Sequence, residues 1–414
     1  MMTMPTANLR LITKSRNPTQ GLRNTFTLVL FAIPIGLASG LLDAGFGEVL
    51  IAISAVRAHF PFLLIPLLPF AGLLIVYLYQ RLGKNSQKGM GLIFASGHGD
   101  DISIPKRLIP LVIFATWLTH LFGGSAGREG VAVQIGGTIG YHLGKYHKSP
   151  RFRKNLLMTG MAAGFAGLFQ TPIAATFFAL EIFAPGKFEY AALLPALAAA
   201  FIASTTSHLL GLEKFTYLIQ DNLNLDAANI VRLLILALCF GFVGRAFAAL
   251  LEHAKPLFAA LITNPYQRIA LVGSILALTI LALHQGRYAG LGTDLISASF
   301  QNGGIQSYDW LFKLLFTVVT LAAGFQGGEV TPLFAIGATL GSVLAAALGV
   351  PVAIGAALGF VSVFAAGTNS LLCPIFIAAE VFGYQTLPIF VPFIAVAYAF
   401  TNGRSIYPQK LIAD

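Results

Sequence analysis

Long apolar runs separated by short polar patches dominate the chain. They fall at 24–42, 49–80, 108–123, 131–143, 155–169, 171–184, 190–212, 229–251, 268–284, 309–324, 331–349, 351–366, 370–383 and 387–400. Runs such as Phe62 to Leu78 and Ile230 to Leu251 lack the polar/apolar alternation of a membrane β-barrel, so the pattern predicts helices. Several runs are too short to cross ~30 Å of hydrocarbon at 1.5 Å per residue. The chain holds 43 Gly and 20 Pro, and many of these interrupt the runs. Short, broken helices survive at membrane depth only where protein buries them or where they line a watery cavity. This pattern favours a transporter or channel over a receptor or an anchor.

Composition agrees. Of 414 residues, 56% are hydrophobic and only 10% charged, where soluble domains carry ~25% charge. The apolar supply covers on the order of ten spans, and a soluble protein so composed would expose large apolar patches and aggregate. The net charge of +10 raises the question of nucleic acid. The basic residues, however, collect in short blocks between apolar runs, as juxtamembrane anchors do. Residues 1–24 contain Arg10, Lys14, Arg16 and Arg23, with no acid before Asp43. That bias predicts a cytoplasmic N-terminus and a multi-pass protein of the inner (plasma) membrane. No cleavable signal is expected, because the run after Arg23 is long and further spans follow. Cys239 and Cys373 both lie in apolar runs, and His120 and His284 lack ligand spacing. Neither a disulfide, a metal site nor a cofactor is therefore expected.

The chain also repeats itself. Gly127-Arg128-Glu129-Gly130 leads into Ile135-Gly136-Gly137-Thr138-Ile139-Gly140, and Gly328-Glu329-Val330-Thr331 leads into Ile336-Gly337-Ala338-Thr339-Leu340-Gly341, at an offset of 201 residues. Glu181-Ile182-Phe183 echoes Glu380-Val381-Phe382 at an offset of 199. Two echoes at nearly one offset predict duplicated halves, 25–215 and 229–414, joined by a polar linker at 216–228. Secondary transporters are often built this way, with the site where broken helices of the two halves meet. A single membrane domain without a cytoplasmic regulatory domain is expected.

The stretch Gly123–Gly130 carries the chemistry. Glycine-rich backbone running into a helix exposes unpaired N–H groups at the positive end of the helix dipole, which makes an anion site without a cationic side chain. Gly324–Pro332 has the same form, and Pro332 suits a first helical turn. Glu129 competes for the same N–H groups: ionised, it plugs the site; protonated, it swings away. The plainer reading pairs Glu129 with Arg128 at the membrane surface, and residue chemistry alone leaves both open.

These residues resemble the signature of the CLC family of anion channels and transporters. Gly127-Arg128-Glu129-Gly130 with Val133-Gln134-Ile135-Gly136 matches its gating motif, Gly328 to Pro332 its second filter motif, and Tyr407 its filter tyrosine. The resemblance implies an all-α, CLC-like inverted repeat of broken and tilted transmembrane helices. It also implies a homodimer in the lipid bilayer, with one pathway for halide and protons per subunit and Glu129 as the gate. The first filter motif, usually Gly-Ser-Gly-Ile-Pro, is best matched by Gly89-Met90-Gly91-Leu92-Ile93; Ser96-Gly97-His98-Gly99 is the other placement. Met90, Glu329, Thr331 and the absence of a proline after Gly130 look like the family's fluoride-transporting branch. Ile182 stands where the chloride exchangers place an inner proton-relaying glutamate.

The resemblance thus implies a fluoride/proton antiporter, not an enzyme. Glu129 and Glu329 would move protons, and Met90, Arg128, Gly130, Val131, Val330, Thr331 and Tyr407 would bind the anion. A chloride/proton exchanger or chloride channel of the same fold is the alternative. Glu329 has a second reading, as a backbone cap near Gln326 and Gly327. Glu181 and Glu380 sit at matching places near helix ends and read as satisfying backbone groups or snorkelling rather than transporting, Phe325 and Phe334 as candidate pathway lining, and Arg245 as part of a re-entrant turn.

Overall fold

The computed structural model describes residues 18–410 except 222 and 302. The expected basic N-terminus therefore lies mostly outside the described residues, and the first helix begins at Pro18, before the expected boundary. It runs to His59 as one 42-residue element with Pro34 inside it. The sequence pattern had broken this helix near residues 42–49. Its lipid-facing stripe is visible in Phe26, Leu30, Ile33, Leu37 and Leu41, all exposed, while Leu28, Ala32, Ile35 and Asp43 are buried. The three- and four-residue spacing of the exposed set is that of one helix face.

Among the described residues, six helices are long and apolar enough to cross a membrane. They are Arg23–His59, Pro61–Leu82, Tyr190–Leu209, Ala227–Leu261, Pro265–Ala282 and Val330–Leu348. Shorter apolar helices such as Leu108–Leu121 and Pro172–Glu181 do not reach that length. The described residues form an all-helical, multi-pass membrane protein. The turn expected around Arg245 does not exist. Arg245 lies within the unbroken Ala227–Leu261 helix, and Gly241 and Gly244 face the Ala397 and Val363 carbonyls of neighbouring helices. Those glycines permit close helix crossing rather than a bend.

The two echoing segments of the sequence meet in the structure. Gly127 and Gly328, equivalent in the repeat, exchange both backbone hydrogen bonds: Gly127 N–H to Gly328 O at 2.6 Å and Gly328 N–H to Gly127 O at 2.8 Å. Glu181 accepts the N–H groups of Leu371, Leu372 and Cys373 from the opposite half, at 2.8–3.3 Å. Its counterpart Glu380 accepts those of Ile173 and Ala174, at 3.2 and 2.8 Å. Each glutamate thus caps the start of a short helix in the other half, the arrangement expected of a carboxylate at a helix N-terminus. The linker is extended and docked: Tyr217 and Ile219 donate to Val381 and Phe382 carbonyls.

These caps carry a stability prediction. Glu181→Leu strands three N–H groups away from water and destabilises the fold by about 3 kcal/mol or more, whereas Glu181→Gln keeps an acceptor and costs much less. Thermal unfolding in detergent checks the order; equal loss for both variants would contradict the capping role.

Candidate functional site

Glu129 opens the helix Glu129–Gly144, with Arg128 as its N-cap. Its carboxylate is fully buried and reaches the start of a second helix. Glu129 Oε2 accepts the Thr331 N–H at 3.1 Å and the Thr331 hydroxyl at 2.5 Å, together with the Arg128 N–H at 3.3 Å. Thr331 is the second residue of the helix Val330–Leu348. One acid thus occupies donors from both helix starts. Its other oxygen, Oε1, lies 3.7 Å from Arg128 Nε and makes no hydrogen bond. The carboxylate lies at the helix start with Arg128 beside it, and the pair is buried rather than at the membrane surface.

Beneath this contact lies a cavity of about 370 Å³ lined by Met90, Gly130, Gln134, Lys255, Phe325, Glu329 and Tyr407, among others. A Cβ on Gly130 would stand 3.6 Å from Glu329 Oε2 and 3.8 Å from Met90 Cε, so these three positions converge. Met90 is the first residue of the short helix Met90–Gly97, and His98 caps the far end, where its Nε2 lies 3.0 Å from the Phe183 carbonyl. That polarity favours Met90 over Ser96 as the residue next to the helix starts. Tyr407 is buried, stacks on Phe94 at 5.5 Å, and keeps its hydroxyl free of protein partners.

Not every expected residue offers the group assigned to it. The Val131 N–H is already given to Arg128 O at 3.1 Å within the first helical turn, so Val131 contributes packing rather than a free donor. Val330 is buried at the start of its helix. Glu329 turns its carboxylate toward Lys255 Nζ, 3.9 Å away, and toward Gly130, not toward the Gln326 and Gly327 amides. Phe325 lines the cavity, whereas Phe334 stacks between Phe360 and Phe169 in the core, at 4.0 and 5.2 Å. Ile182 is fully buried and offers no proton-carrying group.

A profile of the voltage gated chloride channel family matches residues 71–402. The chain belongs to this family. Among CLC proteins, a "Chloride/fluoride channel protein" of Pseudomonas syringae pv. tomato is 37% identical over 353 residues, 84% of this chain and 78% of the relative. An H(+)/Cl(-) exchange transporter of Yersinia pestis is 26% identical over 344 residues, 76% of this chain and 70% of the relative. The crystal structure of a CLC-type fluoride/proton antiporter superposes with a TM-score of 0.91 at 52% identity, covering 94% of this chain and 98% of that one. A slow cyanobacterial Cl-/H+ antiporter superposes at 0.77 with 21% identity, covering 90% and 94%, and shares the CLC fold.

Two residues near the site escaped the sequence reading. Lys313 is fully buried in the helix Asp309–Ala323, and its Nζ reaches Ser125 Oγ at 2.9 Å and Gly290 O at 2.6 Å. Arg57, at the end of the first long helix, donates to His120 O at 2.5 Å. The available signal was a lysine inside the apolar run 309–324, since an ionisable group at membrane depth is costly and rarely idle.

Proposed function

We propose that this CLC protein is a fluoride/proton antiporter that exports fluoride, with one pathway in each subunit of a homodimer in the inner membrane and its N-terminus in the cytoplasm. The observation that carries the reading is the Glu129 carboxylate resting on the Thr331 N–H and hydroxyl of the opposite half. A small anion needs the same donors, so carboxylate and halide exclude each other. When fluoride approaches from the cavity, the ionised acid must leave; when Glu129 takes a proton it loses its claim on the helix start and the route reopens. Glu329 stands on the cavity wall within reach of Gly130 and serves as the inner proton acceptor that Ile182 cannot be. Tyr407 supplies a hydroxyl, and Met90 an apolar flank, where the anion passes. Likeness to the fluoride/proton antiporter structure at 52% identity supports fluoride as the halide.

Purified protein in liposomes loaded with fluoride or with chloride tests this. A fluoride gradient should drive measurable uphill proton movement, and chloride should leave far more slowly. Chloride efflux as fast as fluoride efflux would instead favour a chloride/proton exchanger, and anion flux with no proton movement would favour a channel.

A further inference from the structure

Beyond the end of the span Pro61–Leu82 lies a second cavity, of about 580 Å³, that the proposed cycle does not use. It is lined by Lys84, Asn85, Ser103, Lys106, Arg107 and His142, among others, and by no acid among the described residues. Three parts of the chain form its walls, and polar contacts hold them together. The Asn85 side-chain amide donates to Ser103 O at 2.9 Å. Arg107 donates from Nη1 to Leu82 O at 2.7 Å, which spends one of its five N–H donors. His142, near the end of the helix Glu129–Gly144, donates from Nε2 to Ile104 O at 2.9 Å. Its other ring nitrogen, Nδ1, is buried and has no partner.

The positive charge here is uncompensated. Lys84, Lys106 and Arg107 take part in no salt bridge among the described residues. Lys106 and Lys145 are the charges within electrostatic reach of His142, so like charges surround the ring as well. Cations gathered in a concave wall without a counterion repel one another until an anion joins them. Lysine ammoniums and the arginine fork suit the oxygens of a phosphate, and His142 adds a donor at Nδ1 when an anion holds the ring protonated.

Two features favour a phosphate carried by a lipid. Leu82, whose carbonyl Arg107 holds, and Leu143, next to His142, are exposed apolar side chains, beside which acyl chains can lie. The cavity also stands where a membrane-crossing helix ends, the level of the headgroups, and basic pockets between helices on the cytoplasmic side take anionic headgroups. Phe152, between Arg151 and Arg153, packs on Phe31 early in the first helix, with ring centroids 6.0 Å apart, so the basic block after His142 shares a side with the basic N-terminus.

We propose that this cavity binds the phosphate of an anionic phospholipid headgroup through Lys84, Lys106, Arg107 and His142. The site joins two pieces of the anion route. Residues 83–89 run into the helix that Met90 begins, and His142 lies near the end of the helix that Glu129 begins. A bound headgroup clamps the one to the other. The assignment does not depend on which halide the protein carries.

The test titrates the full chain in detergent with phosphatidylglycerol and counts bound lipid by native mass spectrometry. Phosphatidylcholine, whose phosphate is offset by a cationic choline, is the reference. Phosphatidylglycerol should bind more tightly than phosphatidylcholine, and Lys84→Gln with Lys106→Gln should weaken it by roughly tenfold. Both lysines are exposed, so their replacement spares the fold, and Lys84→Arg with Lys106→Arg should keep the affinity. Lys148→Gln with Arg151→Gln removes the same charge outside the cavity and should bind as the parent does. Unchanged affinity in the Lys84/Lys106 glutamine variant overturns the site. Equal weakening in the Lys148/Arg151 variant also overturns it, because surface charge alone would then suffice. Saturable binding of inorganic phosphate, lost in the Lys84/Lys106 glutamine variant and without preference between the two lipids, makes free phosphate the occupant and overturns the lipid assignment.

Discussion

Glu129→Gln carries fluoride down its gradient and moves no protons with it. The amide has the size of the protonated acid and cannot ionise, so it fixes the gate in the form that yields the Thr331 donors to the halide. A fluoride electrode and a pH electrode on the same liposome suspension separate the two fluxes. Fluoride efflux should persist while proton flux falls to that of empty liposomes. Proton transport at the wild-type ratio would mean that the proton travels by another group, and the competition for Thr331 would lose its meaning. Thr331→Val makes the complementary change. It removes the hydroxyl at 2.5 Å from Glu129 Oε2 but keeps the N–H, and a hydrogen bond to a charged partner contributes about 1.5–3 kcal/mol. Fluoride binding should weaken by roughly tenfold or more, with coupling retained because the acid is intact.

How much of this could be read before the structure follows from where the information sits. The helix starts at Glu129 and Val330 were legible because glycine-rich backbone running into an apolar helix is a local signal, and because the chain states it twice. The pairing of Gly127 with Gly328 joins equivalent positions of the two sequence echoes. The matching places of Glu181 and Glu380 were legible for the same reason, but not that each caps a helix of the other segment. The buried contacts of Arg57 and Lys313 were not. Arg57, Ser125, Gly290 and Lys313 are scattered along the chain, and no periodicity links a lysine in one apolar run to a serine in another. Arg245 misled because glycines flanking an arginine suit a turn in isolation; in the fold they serve the crossing of helices. The gap expected at 42–49 is also continuous helix, its polar Asp43 buried against neighbouring helices. Val131 was misassigned because four N–H groups are free only in an isolated helix start, and here the first turn has already tightened onto Arg128 O.

Replacement of either of two glycines at equivalent positions of the sequence echoes should cost the protein its fold. The helix Glu129–Gly144 crosses the helix Pro150–Phe169 at Gly136, where a Cβ would lie 2.0 Å from the Gly160 carbonyl oxygen. Its counterpart Gly337, in the second half, would place one 2.1 Å from the Gly359 carbonyl oxygen. In both cases the obstacle is backbone of a buried helix, not the flexible end of a side chain, so the helices must separate. Separation forfeits close packing, which drives helix association in a bilayer where apolar burial does not. It also displaces the two helix starts that hold Glu129 and Thr331. Overpacking a tight core costs about 1–3 kcal/mol and sometimes more, and a clash with backbone belongs at the upper end. Gly136→Val and Gly337→Val should each abolish a monodisperse size-exclusion peak in detergent or lower the unfolding temperature by about 3 °C or more. Gly45→Val is the control, because a Cβ there meets nothing within 4 Å, and it should elute as the parent protein does. A Gly136→Val or Gly337→Val protein as stable as that control would show that the crossing has slack.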